Sequence, residues 1–132
     1  MLLQVEHILL TPCGMVLTPT SMDVVYGSAF KRQLKRLARR YRSIKNDIDP
    51  VIQLLLAEDT PGDALSGYGH TLYKVRIKNS DNRKGKSGGY RIIYYLKTET
   101  RCVLVTIYSK SDQGDIDADQ LHTLLRDIEK QR

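Results

Sequence analysis

The chain reads as one small domain of mixed helices and strands in the order β-α-α-β-β-β-α. Two observations predict this. Apolar residues recur at helical spacing over residues 30–55, and the pattern then switches to the two-residue alternation of strands. With 132 residues, the length suits a single domain.

Residues 1–21 differ from the rest of the chain: they are apolar, nearly uncharged and broken by Pro12, Gly14 and Pro19. They are compatible with a short hairpin, residues 5–10 against 15–18, or with an appendage. We expect them to be an N-terminal extension and the functional domain to span 22–132. Glu6 and His7 interrupt the apolar start and a basic leader is missing, so it reads poorly as a signal peptide.

Asp23–Tyr26 is a short β-rich run. Ser28 is placed to cap the next helix through its hydroxyl. In that helix Phe30, Leu34, Leu37, Ala38 and Tyr41 share one face, while Lys31, Arg32, Lys35, Arg36, Arg39 and Arg40 fill the rest. Ile44, Ile48, Val51, Ile52 and Leu55 repeat the same spacing after Ser43. Pro50 lies inside this second pattern and predicts a kink, or a helix that begins near Asp49. The short link makes the pair a helical hairpin.

Residues 58–70 read as a loop punctuated by Pro61, Gly62, Gly67 and Gly69. In 72–78, Tyr73, Val75 and Ile77 alternate with Lys74, Arg76 and Lys78, which gives a half-buried strand with a cationic outer face. A polar loop over 79–88 leads to strands at 89–97 and 101–108, joined by a tight turn. The last helix is announced by Asp117 as N-cap, Gln120 three residues on, and Ile116 with Leu121 as a hydrophobic staple.

Charge is unevenly placed. Residues 28–46 carry eight positive charges and no acid, and 71–101 carry nine positive and two negative. Residues 47–70 hold five acids and no base. Two basic blocks beside an acidic one point to a positive face suited to a polyanion: nucleic acid, ribosome or an acidic protein.

Other chemistries fit less well. Gly85-Lys86-Ser87 has the ending of a phosphate loop, but position 80 is serine and the segment joins two strands. His7, His70 and His122 have no metal spacing. Asp112, Asp115, Asp117 and Asp119 lack the pattern of a calcium loop and are explained by helix capping. Cys13 and Cys102 form neither a disulfide framework nor a zinc site, which fits a reduced cytoplasmic home. No stretch is long and apolar enough to span a bilayer.

The cationic strand residues are the strongest constellation. Lys74, Arg76 and Lys78 share a strand face, Arg91 lies in the following strand, and Lys110 closes the last. Tyr90, Tyr94, Tyr95 and Tyr108 come from the same strands, and at least two of them are expected to be packing residues. RNA suits such a surface, because its phosphates bind cations and its bases stack on tyrosine. RNA also carries its own nucleophile, the 2′-hydroxyl. Its cleavage needs a base, cations for the charge on phosphorus, and an acid for the departing oxygen.

Three segments carry a resemblance: Tyr73-Lys74-Val75-Arg76-Ile77, Gly88-Gly89-Tyr90-Arg91-Ile92-Ile93-Tyr94-Tyr95, and Val105-Thr106-Ile107-Tyr108-Ser109-Lys110. In this order they resemble the RelE/ParE toxin superfamily across about residues 22–128. The form Gly85-Lys86-Ser87-Gly88-Gly89-Tyr90-Arg91 is similar to its HigB-type members. The resemblance implies an α+β fold, a small antiparallel sheet packed against the N-terminal helical hairpin. It implies the toxin of a type II toxin–antitoxin system, a cytoplasmic endoribonuclease (an mRNA interferase) that cleaves ribosome-bound mRNA by 2′-OH attack. No metal or cofactor is implied, and the cognate antitoxin is the implied protein partner.

Carried over residue by residue, Arg91 and Arg76 would stabilise the phosphate, with Lys74 or Lys110 as base or electrostatic aid. Lys78, Lys86, Tyr94 and Tyr108 would contact RNA. The chain departs from several relatives at Ser111, where they have a second arginine, and in having no tyrosine after Tyr108. The acid and base therefore stay open. Two alternatives share the fold or the charge: a ParE-like, non-enzymatic inhibitor of DNA gyrase, and a plain RNA- or ribosome-binding module.

Overall fold

Burial is continuous along the two central strands, and this organises everything else. From Tyr90 to Tyr95 and from Cys102 to Ser109 every residue is buried, as expected of strands covered on both faces. The structure, a computed structural model, describes residues 22–82, 85 and 88–130. The expected extension, residues 1–21, lies outside them.

The described elements are β1 (Asp23–Tyr26), α1 (Ser28–Arg40), α2 (Ile44–Leu56), β2 (Asp63–Leu65), β3 (Thr71–Ile77), β4 (Tyr90–Thr98), β5 (Arg101–Ser109) and α3 (Ala118–Lys130). The strands form one sheet in the order β1-β5-β4-β3-β2. β1 runs parallel to β5, whereas the other pairs are antiparallel. The α+β class is therefore as expected, with two corrections. The sheet is mixed at one edge, and a strand, β2, lies within the expected loop. Asp-Ala-Leu has no β-branched residue, so β2 owes its form to the edge of β3, where Ala64 faces Tyr73 and Leu65 faces Leu72.

One face of the sheet carries α1 and α2. Phe30, Ile44, Ile48, Val51, Ile52 and Leu55 pack with Val75, Ile77, Tyr90, Ile92, Tyr94 and Leu104. Ser28 does not cap α1. It is the first helical residue, and Gly27 before it takes the extended N-cap position without a side-chain hydrogen bond. A Cβ at Gly27 would lie 2.7 Å from the backbone oxygen of Leu104, so this close helix–strand approach needs glycine. α2 starts at Ile44 and continues through Pro50. Burial of Ile48, Val51 and Ile52 on either side outweighs a proline penalty of about 3 kcal/mol.

The opposite face is partly covered by α3, which brings Leu121 and Leu125 onto Leu72, Ile93, Tyr95, Val103 and Val105. Its capping box forms as the sequence predicts. The Gln120 backbone N–H donates to Asp117 Oδ1 at 2.8 Å, and the Asp117 N–H donates to Gln120 Oε1 at 3.3 Å. Ile116 and Leu121 join the same apolar cluster. A register shift between Ile93 and Tyr94 leaves Val105 as an extra residue of β5, so Ile93 faces Thr106 while Tyr94 faces Leu104. Among the described residues, no helix is long and apolar enough to cross a membrane.

Cys102 is fully buried, and burial pushes its thiol up to about 12. The folded chain holds this proton more tightly than the unfolded one. Its contribution to stability is therefore present at neutral pH and lost as pH rises from the ordinary thiol value toward 12. In a Cys13→Ser background, iodoacetamide at pH 8 should leave Cys102 unmodified until guanidinium unfolds the protein. Equal labelling rates with and without denaturant would contradict this burial.

Candidate functional site

α3 leaves one end of the second sheet face open, and the basic strand residues meet there. Arg76 of β3 and Arg91 of β4 are direct cross-strand partners. Arg91 in turn faces Tyr108 of β5. Lys74 lies two residues before Arg76 on the same face, about 7 Å along the strand. Like charges placed directly opposite each other are destabilising. The fold nonetheless places two arginines directly opposite each other on neighbouring strands.

Burial differs along this row. Arg76 is exposed, whereas Arg91 is only 5% exposed and donates from its guanidinium to the Tyr90 carbonyl oxygen at 3.3 Å. Tyr108 is also buried. Burial is the main reason its hydroxyl lies above the ordinary tyrosine value, so at neutral pH it keeps its proton.

Beyond the end of β5, Asp115 gathers three of these groups. Lys110 Nζ donates to its Oδ2 at 2.8 Å, Lys74 Nζ lies 3.8 Å from Oδ1, and the Tyr108 hydroxyl donates to Oδ1 at 3.3 Å. The hydrogen bond from Lys110, aided by the charge of Lys74, holds the Asp115 carboxyl below its ordinary value. Two lysines and a tyrosine around a single carboxylate, beside the paired arginines, suit an anionic ligand rather than a metal cation.

The structure thus brings together Lys74, Arg76, Arg91, Tyr108 and Lys110. Lys78, just past β3, is exposed, and among the described residues no ion pair engages it. Lys86 lies outside the described residues. Tyr94 is a correction. It is fully buried on the opposite face, stacked on Tyr73 at 5.3 Å, with its hydroxyl donating to the Pro61 carbonyl. It is a packing residue and cannot meet a base at this site. Tyr90 packs on that same face, and Tyr95 lies under α3 with its hydroxyl on Glu129.

Sequence reasoning misses Asp115, because it stands in an acidic cluster that helix capping explains. One signal is present. Only one residue serves as the N-cap, and Asp117 takes that role, which leaves Asp115 unaccounted for five residues after Lys110.

Residues 29–131 match the family described as the RelE toxin of the RelE/RelB toxin–antitoxin system. This chain belongs to the RelE toxin family. A solved structure of E. coli toxin RelE, an arginine-to-alanine double mutant in the free state, superposes with a TM-score of 0.50 at 12% identity. It covers 82% of this chain and 98% of its own, and at that identity it supports the fold alone. TrmO from Pseudomonas aeruginosa matches more weakly: TM-score 0.44, 13% identity, 76% of this chain and 42% of that one. Membership of the RelE family places the chain among toxins of toxin–antitoxin systems.

Proposed function

We propose that this RelE-family toxin is an endoribonuclease that cleaves ribosome-bound messenger RNA by 2′-OH attack. The observation that carries the reading is the cross-strand pairing of Arg76 with Arg91, flanked on the same face by Lys74. In the proposed step the 2′-oxygen bonds to phosphorus and gives its proton to a base. The bond from phosphorus to the 5′-oxygen breaks, and that oxygen takes up a proton. The products are a 2′,3′-cyclic phosphate and a 5′-hydroxyl.

Arg91 and Arg76 hold the non-bridging oxygens as negative charge builds on them, the role for which fixed donors are most effective. Arginine suits it, because its planar fork matches two oxygens at once. Lys74 or Lys110 serves as base or electrostatic aid, and the hydrogen bond from Lys110 to Asp115 favours the electrostatic role for Lys110. Tyr108 keeps its proton beside Arg91, and this single donor turns from Asp115 to the phosphate or the leaving oxygen when RNA is bound. Lys78 and Lys86 are proposed to contact the RNA backbone.

The cognate partner is proposed to be an antitoxin protein. The Gly85–Arg91 sequence supports a place in the HigB-like subgroup, with residues 22–132 as the toxin domain and 1–21 as an extension. Cell-free translation of a reporter message with purified protein tests the activity. Cleavage within ribosome-bound codons is expected. Intact message with DNA trapped on gyrase would replace this reading by the ParE-like one, and neither outcome would leave a plain RNA- or ribosome-binding module.

A further inference from the structure

The segment between β5 and α3 is fixed at both ends by groups other than the Asp115 side chain. At one end the Asp112 and Gln113 backbone N–H groups both donate to the Ser109 carbonyl at 3.1 Å. Asp112 also accepts from the Tyr41 hydroxyl at 2.9 Å and pairs with Arg40 at 3.1 Å. At the other end Ile116 packs into the apolar cluster under α3, and Asp117 caps that helix. The Asp115 side chain is left to one task. It presents two oxygens to groups from different strands: Lys74 from β3, and Tyr108 and Lys110 from β5 and its end.

We propose that Asp115 is a positioning residue: it holds Lys110, Lys74 and the Tyr108 hydroxyl at the phosphate site, and it does so at the expense of affinity for RNA. This role rests on the nuclease reading. The physical case has two parts of opposite sign. Two ammonium groups facing one site repel each other, and a carboxylate between them fixes both in a defined geometry, as catalysis by preset charge requires. The same carboxylate is an anion beside the place where an RNA phosphate must sit, so it weakens binding.

A merely structural residue would not split these effects, and the test uses that split. Purified wild-type and Asp115→Asn proteins are given ribosomes programmed with a cleavable message. Binding is measured on the same message carrying one 2′-deoxynucleotide at the cleavage position, which removes the nucleophile. For Asp115→Asn we expect single-turnover cleavage to fall roughly ten- to a hundredfold, in the range of a lost acid–base or electrostatic aid. Binding should tighten a few-fold, and its log–log salt dependence should steepen by about 0.7, the contribution of one added net positive charge on a single strand.

Unchanged cleavage overturns the proposal. Faster cleavage overturns it too, since Asp115 would then be only a competitor of RNA. A parallel loss of rate and affinity, with a lowered Tm, assigns a structural role instead. If Asp115→Asn does not fold, Asp115→Glu, which keeps the anion, should cleave within about tenfold of wild type; a larger loss counts against the proposal. A wild-type protein that leaves the message intact overturns the nuclease reading and this role with it. Wild-type cleavage beside an equally active Asp115→Asn overturns the role alone.

Discussion

An Arg91→Ala protein is expected to cause no growth arrest when overproduced, and to cleave ribosome-bound message roughly 10²–10³-fold more slowly than wild type, the usual loss for one fixed donor to developing charge. The fold should survive, because two effects on stability oppose each other. The arginine stem is buried between Arg76 and Tyr108, and its removal loses packing and the guanidinium hydrogen bond to the Tyr90 carbonyl. Removal also relieves the like-charge pairing with Arg76. We expect a net change within about 1 kcal/mol, read as a Tm close to that of wild type. Arg91→Lys keeps the charge but not the planar fork, so it should retain part of the activity. An Arg91→Ala protein as toxic as the wild type would remove the central cation from the proposed site.

Strand parity makes much of this site legible in the sequence. Alternation of Lys74, Arg76 and Lys78 with Tyr73, Val75 and Ile77 fixes the face that β3 turns to the site, and the structure agrees. Parity also suffices to exclude Tyr94. It stands three residues from Arg91, so the two must point to opposite faces. Tyr108 cannot be placed this way, because its partner depends on the register between β4 and β5, which Val105 shifts by one residue.

The parallel pairing of β1 with β5 and the existence of β2 are hidden in the sequence. Both are edge strands of three or four residues: Val24, Val25 and Tyr26 mark β1 as a strand but not its partner, while β2 gains its form from its neighbour more than from its own side chains. Asp115 is hidden for a related reason. Its three partners lie 41, seven and five residues away in the chain, and only the finished sheet brings them together.

The Gly88-Gly89-Tyr90-Arg91 motif is where fold and site meet, and Gly89→Ala should show it. Gly89 lies just before β4, against the end of β3. A methyl group there would run into the backbone carbonyl of Ile77, and Tyr90, the next residue, is paired with that same Ile77. From the other side, the Lys110 N–H donates to the Gly89 carbonyl at 2.8 Å. The glycine is clamped between two strands and cannot yield without parting one of them. We expect Gly89→Ala to lose on the order of 2–4 kcal/mol of stability, the range of a strained and overpacked site. For a domain of this size that corresponds to a drop in Tm of roughly 10–20 °C. Gly114→Ala is the control, because a Cβ at Gly114 meets nothing within 4 Å. A Gly89→Ala protein that melts with the control would show that the junction has room for a methyl group. Activity should fall further than stability alone requires. Arg76 precedes Ile77, Arg91 follows Tyr90, and Lys110 is bonded to Gly89 itself, so a shift at this one residue moves three of the four proposed cations at once. At a temperature where Gly89→Ala is still folded, its cleavage rate should therefore remain well below that of the wild type.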